Sequence, residues 1–200
     1  MCGRYLVEIE ESEILEIIKA AEKNSQNSSA VSQFSGGEIF PTNTAPVIVA
    51  GDKAQFMKWG FRGKHSDKRP YINARSETAA TAPTFSAAMS ERRCLVPASS
   101  YYEWKTIDKK QKEKYEFTLP DGTPLYMAGI YSDDGEYAIL TREASYDIAD
   151  IHNRMPVIIP KSLSDVWLNE SADVFGEAIT ELNFIVIPKE EEPPLQMSLF

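Results

Sequence analysis

The stretch from Lys114 to Thr141 constrains the fold more than any other part of the chain. Lys114–Leu119, Leu125–Tyr131 and Tyr137–Thr141 alternate apolar and polar positions. Asp121-Gly122 and Asp133-Asp134-Gly135 separate them. Period-two segments broken by such turns predict an antiparallel meander. Upstream, Val47–Ala50 and Gln55–Trp59 read as strands turned by Gly51-Asp52, and Cys94–Ile107 reads as one strand with an irregular entrance at Pro97. No alternating strand–helix rhythm runs through the sequence, which argues against a doubly wound sheet.

Cys2–Ile9 opens the chain as a strand. Glu10–Lys23 follows with Ile14, Leu15, Ile17, Ile18 and Ala21 at helical spacing. Asn24–Gly37 is rich in Ser, Asn and Gly and reads as a loop. Ser76–Ser90, broken by Pro83, predicts two short helices. Ser162–Leu168 and Ala172–Leu182 also read as helical, and Asn183–Pro188 as a last strand. The expected fold is α+β, a single domain over residues 1–188 built on a mostly antiparallel sheet or open barrel with flanking helices. Residues 189–200 form a charged, Pro-containing tail expected to lack fixed structure.

With 200 residues the chain has room for one real core. It has no apolar run long enough to span a membrane and no apolar segment near its start that would mark a signal peptide, so the cytoplasm is the expected compartment. Its two cysteines, Cys2 and Cys94, are expected to stay reduced there. Two histidines, His65 and His152, and no Cys-x-x-Cys spacing leave too few ligands for zinc, and no cofactor is expected. Cys94, in an apolar strand, reads as a core thiol.

A net charge of −9 by itself argues against nucleic-acid binding. The distribution qualifies that. From Lys53 to Arg75 the chain carries seven Lys or Arg and one acid, Asp67. A local basic strip can hold a phosphate backbone on an acidic protein, though it also suits a solvated surface loop.

Cys2 is the residue with distinctive chemistry. Removal of a Met before a small residue would leave a cysteine with a free α-amine and a thiol on adjacent carbons. The amine condenses with an aldehyde to a Schiff base, and the thiol closes it to a thiazolidine. Both groups ordinarily titrate near neutral pH. An internal cysteine cannot do this, because its nitrogen is an amide.

Three polar segments sit within otherwise apolar strands. Tyr71–Thr78 sets Asn73 and Arg75 two apart, on one face if extended. Arg92–Lys105 carries Glu103 among Tyr101, Tyr102 and Trp104. Apolar surroundings favour the neutral form of a carboxyl group, which suits proton transfer. Ile151–Val157 places His152 and Arg154 before an apolar strand. Each also has a plain structural reading: a capping Asn, a surface Glu, a core His.

Together these segments resemble the SOS-response-associated peptidase (SRAP) family, whose members shield abasic sites by covalent cross-linking. The resemblance rests on Met-Cys-Gly-Arg-Tyr at 1–5, Pro-Thr-Asn-Thr-Ala-Pro at 41–46, Lys-Trp-Gly at 58–60 and Asn-Ala-Arg-Ser-Glu-Thr at 73–78. Arg-Arg-Cys-Leu-Val-Pro at 92–97, Tyr-Glu-Trp at 102–104 and His-Asn-Arg-Met-Pro at 152–156 complete it. It implies a compact α+β domain around an antiparallel sheet. It also implies Cys2 as nucleophile after loss of Met1, Asn73 as a hydrogen-bonding partner, Glu103 as general acid/base and His152 as an aid to sugar-ring opening. Arg4, Arg75 and Arg154 would contact phosphates, and Trp59 and Trp104 would stack near the lesion. The partner it implies is abasic single-stranded DNA, met by a monomer expected to associate with the nucleoid through DNA. Phe61–Arg69 departs from the family's apolar run and reads as a variable basic loop; His65, within it, receives no catalytic role. Gln196, Leu199 and Phe200 resemble the Gln-x-x-Leu-Phe peptide that docks on sliding clamps. A thiol peptidase and a non-covalent single-strand binder remain the alternative readings.

Overall fold

The alternation in the middle of the chain becomes strand, but not a single meander. A computed structural model describes residues 2–25, 31, 33–62, 69–170 and 173–188. The early strands are β1 (Arg4–Val7), β2 (Gly37–Ile39), β3 (Thr44–Val49), β4 (Lys53–Trp59), β5 (Asn73–Arg75) and β6 (Arg93–Ala98). There follow β7 (Ser100–Thr106), β8 (Lys112–Thr118), β9 (Leu125–Tyr131), β10 (Glu136–Glu143), β11 (Arg154–Pro156) and β12 (Asn183–Ile187). They form two sheets, one in the order β12-β8-β7-β1-β2. In the other, β4, β3, β6 and β9 follow β10, and β9 pairs back onto β10, so those five strands close into a ring. The mixed α+β fold agrees with the sequence reading; the barrel is closed rather than open.

Four local expectations need correction. The segment 94–107 is two strands. β6 pairs with β9 in the ring and β7 pairs with β8 in the other sheet, so Ser99 carries the chain between sheets. β8 and β9 do not pair with each other, and the Asp121-Gly122 turn carries the chain back. Neither crossing alters the period of two, which is why alternation alone did not reveal it. The described part of Ala172–Leu182 is not a helix: it holds a 3-10 turn at Phe175–Glu177 and a bridge from Ile179 to Ile158. The Ser/Asn/Gly-rich stretch ends one residue early, because Gly37 opens β2.

The helix Ser12–Asn24 buries Ile14, Ile18 and Ala21, the expected stripe. Two short helices, Ser76–Ala79 and Ser86–Glu91, stand where Pro83 predicts a break. β9 and β10 are buried on both faces along most of their length. Along β9 and β10, Leu125, Met127, Tyr137 and Ile139 face one core with Tyr5, Tyr101 and Phe117. Tyr126, Ala128, Ala138 and Leu140 face a second core with Trp167 and Met89. Burial on both sides explains the nearly continuous apolar runs.

β10 organises the site. On one edge it pairs in parallel with β4 and then β5; on the other it pairs antiparallel with β9 and then β11. Thr141 therefore has Arg75 on one side and Pro156 on the other. β1 lies beside β7, with Arg4 opposite Tyr102.

Candidate active site

Four residues distant in sequence meet at the start of β1. Cys2 is fully buried just before that strand, and its Sγ lies 3.7 Å from the Arg4 carbonyl oxygen. Asn73, the first residue of β5, donates from Nδ2 to the Cys2 carbonyl at 2.8 Å. Glu103, in the middle of β7, is 3 % exposed. His152 sits just before β11 with Nδ1 3.7 Å from Glu103 Oε1. The strand pairings explain the convergence. β5 and β11 flank β10, and β7 runs antiparallel beside β1.

The environment of Cys2 is apolar and negative. Burial pushes its thiol well above the ordinary value, and the charge of Glu103 pushes the same way. The thiol is therefore neutral at physiological pH. Asn73 Oδ1 is buried and has no hydrogen-bond partner among the described residues. Its amide is engaged on the nitrogen side, to the Cys2 carbonyl, which leaves the oxygen as a buried spare acceptor beside Cys2. The Tyr101 hydroxyl is likewise buried without a partner there, and its ring stacks on Phe117 at 4.7 Å. Tyr101 was legible in the sequence as one aromatic among several; only packing sets its hydroxyl near Cys2 and Glu103.

The residues expected at DNA divide. The Arg4 guanidinium lies 4.1 Å from the Phe40 ring centroid and 5.1 Å from that of Trp104, with a 3.2 Å ion pair to Glu38. Trp104 is half-buried, so this platform is open to solvent on one side. Glu38 also pairs with Lys114 from β8. Phe40, Glu38 and Lys114 escaped the sequence reading, because nothing in their local pattern marks them; β2 and its turn bring them to Arg4. Asn43 Oδ1 accepts from the Phe40 N–H at 2.9 Å, and Thr42 adopts φ 75°, which fixes that turn.

Trp59 lies elsewhere. It is 0 % exposed, donates from Nε1 to the Ile72 carbonyl at 2.8 Å, and packs edge-on to Tyr5 at 5.1 Å. As placed here it is a core residue beneath β5 and offers no face to a base. Arg75 is exposed on β5, on the same side as Asn73. The Arg154 guanidinium is clamped by Glu77 through bonds of 2.7 and 2.8 Å and donates to the Thr141 carbonyl at 2.6 Å. Arg154 hydrogen bonds hold the Glu77 carboxyl down to about 2.

Most of the basic loop, including His65, and the tail with Gln196, Leu199 and Phe200 lie outside the described residues. Among the described residues, no three His, Cys, Asp or Glu side chains converge on a metal position, and no helix is long and apolar enough to cross a membrane. Cys94 is fully buried beneath Gly129.

Known proteins resemble this chain along most of its length. It is 31% identical over 191 residues to the abasic site processing protein YobE of Bacillus subtilis, covering 84% of this chain and 82% of that one. It is 32% identical over 155 residues to the abasic site processing protein YedK of Escherichia coli, covering 70% and 68%. Among solved structures, a protein of Bordetella bronchiseptica superposes with a TM-score of 0.71 at 22% identity, covering 94% of this chain and 100% of the other, which bears on the fold alone. The sequence pattern of one family matches residues 1–189, so the chain belongs to the SOS response associated peptidase (SRAP) family.

Proposed function

We propose that this protein captures abasic sites in single-stranded DNA as a covalent adduct through Cys2. The observation that carries the reading is the meeting of Cys2, Asn73, Glu103 and His152 around one buried thiol. The names of the relatives, abasic site processing proteins, supply the substrate.

The chemistry begins with loss of Met1. Water adds to the Met1 carbonyl carbon, the Met1–Cys2 amide breaks, and the nitrogen of Cys2 becomes an amine. Glu103, the nearest buried carboxylate, moves the protons of that step, an autoproteolysis. The ring-opened abasic sugar presents an aldehyde at C1′. The amine adds to it, water leaves, and a Schiff base remains. The thiol then adds to the imine carbon, and its proton passes to nitrogen, closing the five-membered thiazolidine.

The thiazolidine can close only on an imine, so the amine attacks first. A protonated imine then brings positive charge beside sulfur, which favours the thiolate when it is needed. Asn73 holds the Cys2 carbonyl, and its spare Oδ1 can accept from the amine or from a sugar hydroxyl. His152 assists ring opening at the sugar oxygen. Arg4 and Arg75 hold phosphates and Trp104 stacks on a base; Arg154 stays paired with Glu77 rather than taking a phosphate.

The test is direct. The processed protein is mixed with an oligonucleotide carrying one abasic site and run on a denaturing gel. A retarded band that Cys2→Ala abolishes supports the reading. No adduct, together with turnover of a peptide substrate, would favour a thiol peptidase. Binding and function that survive Cys2→Ala would favour a non-covalent single-strand binder. The tail is proposed to dock on a sliding clamp through Gln196, Leu199 and Phe200, and a clamp pull-down unchanged by deleting 196–200 would refute that.

A further inference from the structure

His152 is held by main-chain groups of a residue two positions on. Its Nδ1 lies 3.1 Å from the Arg154 backbone nitrogen and 3.2 Å from the Arg154 carbonyl oxygen. The direction of the His152 ring toward Glu103 therefore depends on where the Arg154 backbone sits.

Arg154 is fixed by its own side chain. Its side chain is 11% exposed, and the guanidinium takes both carboxylate oxygens of Glu77 and also donates to the Thr141 carbonyl. Bidentate arginine–carboxylate pairs constrain geometry in a way a single contact does not. Glu77 stands on the short helix that follows β5, the strand carrying Asn73. Arg154 opens β11, the strand that follows His152. β5 and β11 lie on opposite edges of β10. The Glu77–Arg154 pair thus reaches across β10 and ties the Asn73 side of the site to the His152 side.

We infer that Glu77 is a positioning residue: by clamping Arg154 across β10 it sets the His152 ring against Glu103 for the capture reaction. The inference rests on the proposed capture reaction for its kinetic consequence, though not for its structural one. Nearly half of the Glu77 side chain is exposed, so the pair adds little stability and its main consequence is orientation. Small misplacements of a catalytic group are expensive in rate.

The experiment uses the full chain and two variants, Glu77→Gln and Glu77→Asp. Three quantities are read: the rate of adduct formation, the Kd for a single strand carrying a tetrahydrofuran abasic analogue that has no aldehyde, and the 15N shifts of the His152 ring. Only His65 shares that spectrum, and His65→Asn assigns it. Nδ1 accepts the Arg154 N–H when the ring proton is on Nε2 and donates to the Arg154 carbonyl when it is on Nδ1, so the parent's ring shifts report that balance. Glu77→Gln is expected to change the balance and slow capture by about tenfold or more with an unchanged Kd. Glu77→Asp, which keeps the charge on a shorter arm, is expected to fall between. Unchanged His152 shifts overturn the inference. So does tighter binding with an unchanged rate, which would make Glu77 a competitor of phosphate at Arg154. If the parent protein forms no adduct but the His152 shifts respond, the capture reading fails and the clamp stands.

Discussion

Asn73 Nδ2 donates to the backbone carbonyl of Cys2 across 71 residues of sequence, at 2.8 Å. The bond anchors the first described residue of the chain to β5, the short strand that pairs with β10 of the ring. Replacing Asn73 with Ala leaves a buried carbonyl without that donor, at a cost of about 1–3 kcal/mol. Urea denaturation should report that loss, and adduct formation should slow along with it. A variant with parent stability and parent rate would remove Asn73 from the site.

The Cys2 thiol is buried and its pKa is raised, first by desolvation. Cys94 is raised for the same reason. Iodoacetamide should therefore label the native full chain slowly at neutral pH and faster as pH climbs past the ordinary value of 9.0. Both cysteines should label promptly in urea. Mass spectrometry counts the adducts, and rapid native labelling at pH 7 would contradict the buried, protonated thiol.

The two tryptophans should respond oppositely. Trp59→Ala removes a fully buried indole and its bond to Ile72, and should cost about 3–5 kcal/mol of stability. Trp104→Ala, at the half-buried platform under Arg4, should leave the fold nearly as stable and weaken single-strand binding. Thermal melts and fluorescence anisotropy separate the two, and a Trp104→Ala variant as unstable as Trp59→Ala would be the wrong result.

Glu77 gives a pH signature. Its carboxyl is held at about 2 in the fold, against an ordinary 4.5. A lowered folded value contributes stability above the ordinary value and loses it as pH falls toward 2. The melting difference between parent and Glu77→Gln should be constant above about pH 5 and vanish near pH 2. It should also be small, because nearly half of the Glu77 side chain is exposed. A difference that grows on acidification would mean the sign is wrong.

Gly129 tests the ring's packing. A Cβ there would lie 2.8 Å from Cys94 Sγ and 3.2 Å from the Ala138 carbonyl oxygen. Gly129→Ala should destabilise by about 1–3 kcal/mol. Adding Cys94→Ala should recover part of that, since it removes the nearer clash and leaves the backbone one. No recovery in chemical denaturation would point away from the Cys94 contact.

The sequence by itself determined the elements whose signal is local. The stripe of Ile14, Ile18 and Ala21 gave the long helix, Gly51-Asp52 gave the β3–β4 turn, and Pro83 gave the break between two short helices. It also singled out Cys2, through the chemistry of an N-terminal aminothiol, and Asn73, Glu103 and His152 as polar groups in or beside apolar strands, with their roles implied by the family resemblance. Tertiary structure alone decided which strands pair. The crossing at Ser99, the separation of β8 from β9 and the closure of the ring leave no trace in alternation, since a strand buried in either sheet obeys the same period. Tertiary structure also decided which aromatic faces solvent. Trp59 and Trp104 both look like aromatics beside a charge in sequence, yet one lies beneath β5 and the other beside Arg4. The clamp from Glu77 to Arg154 was equally hidden, because it spans β10 and exists only once β5 and β11 take opposite edges of that strand.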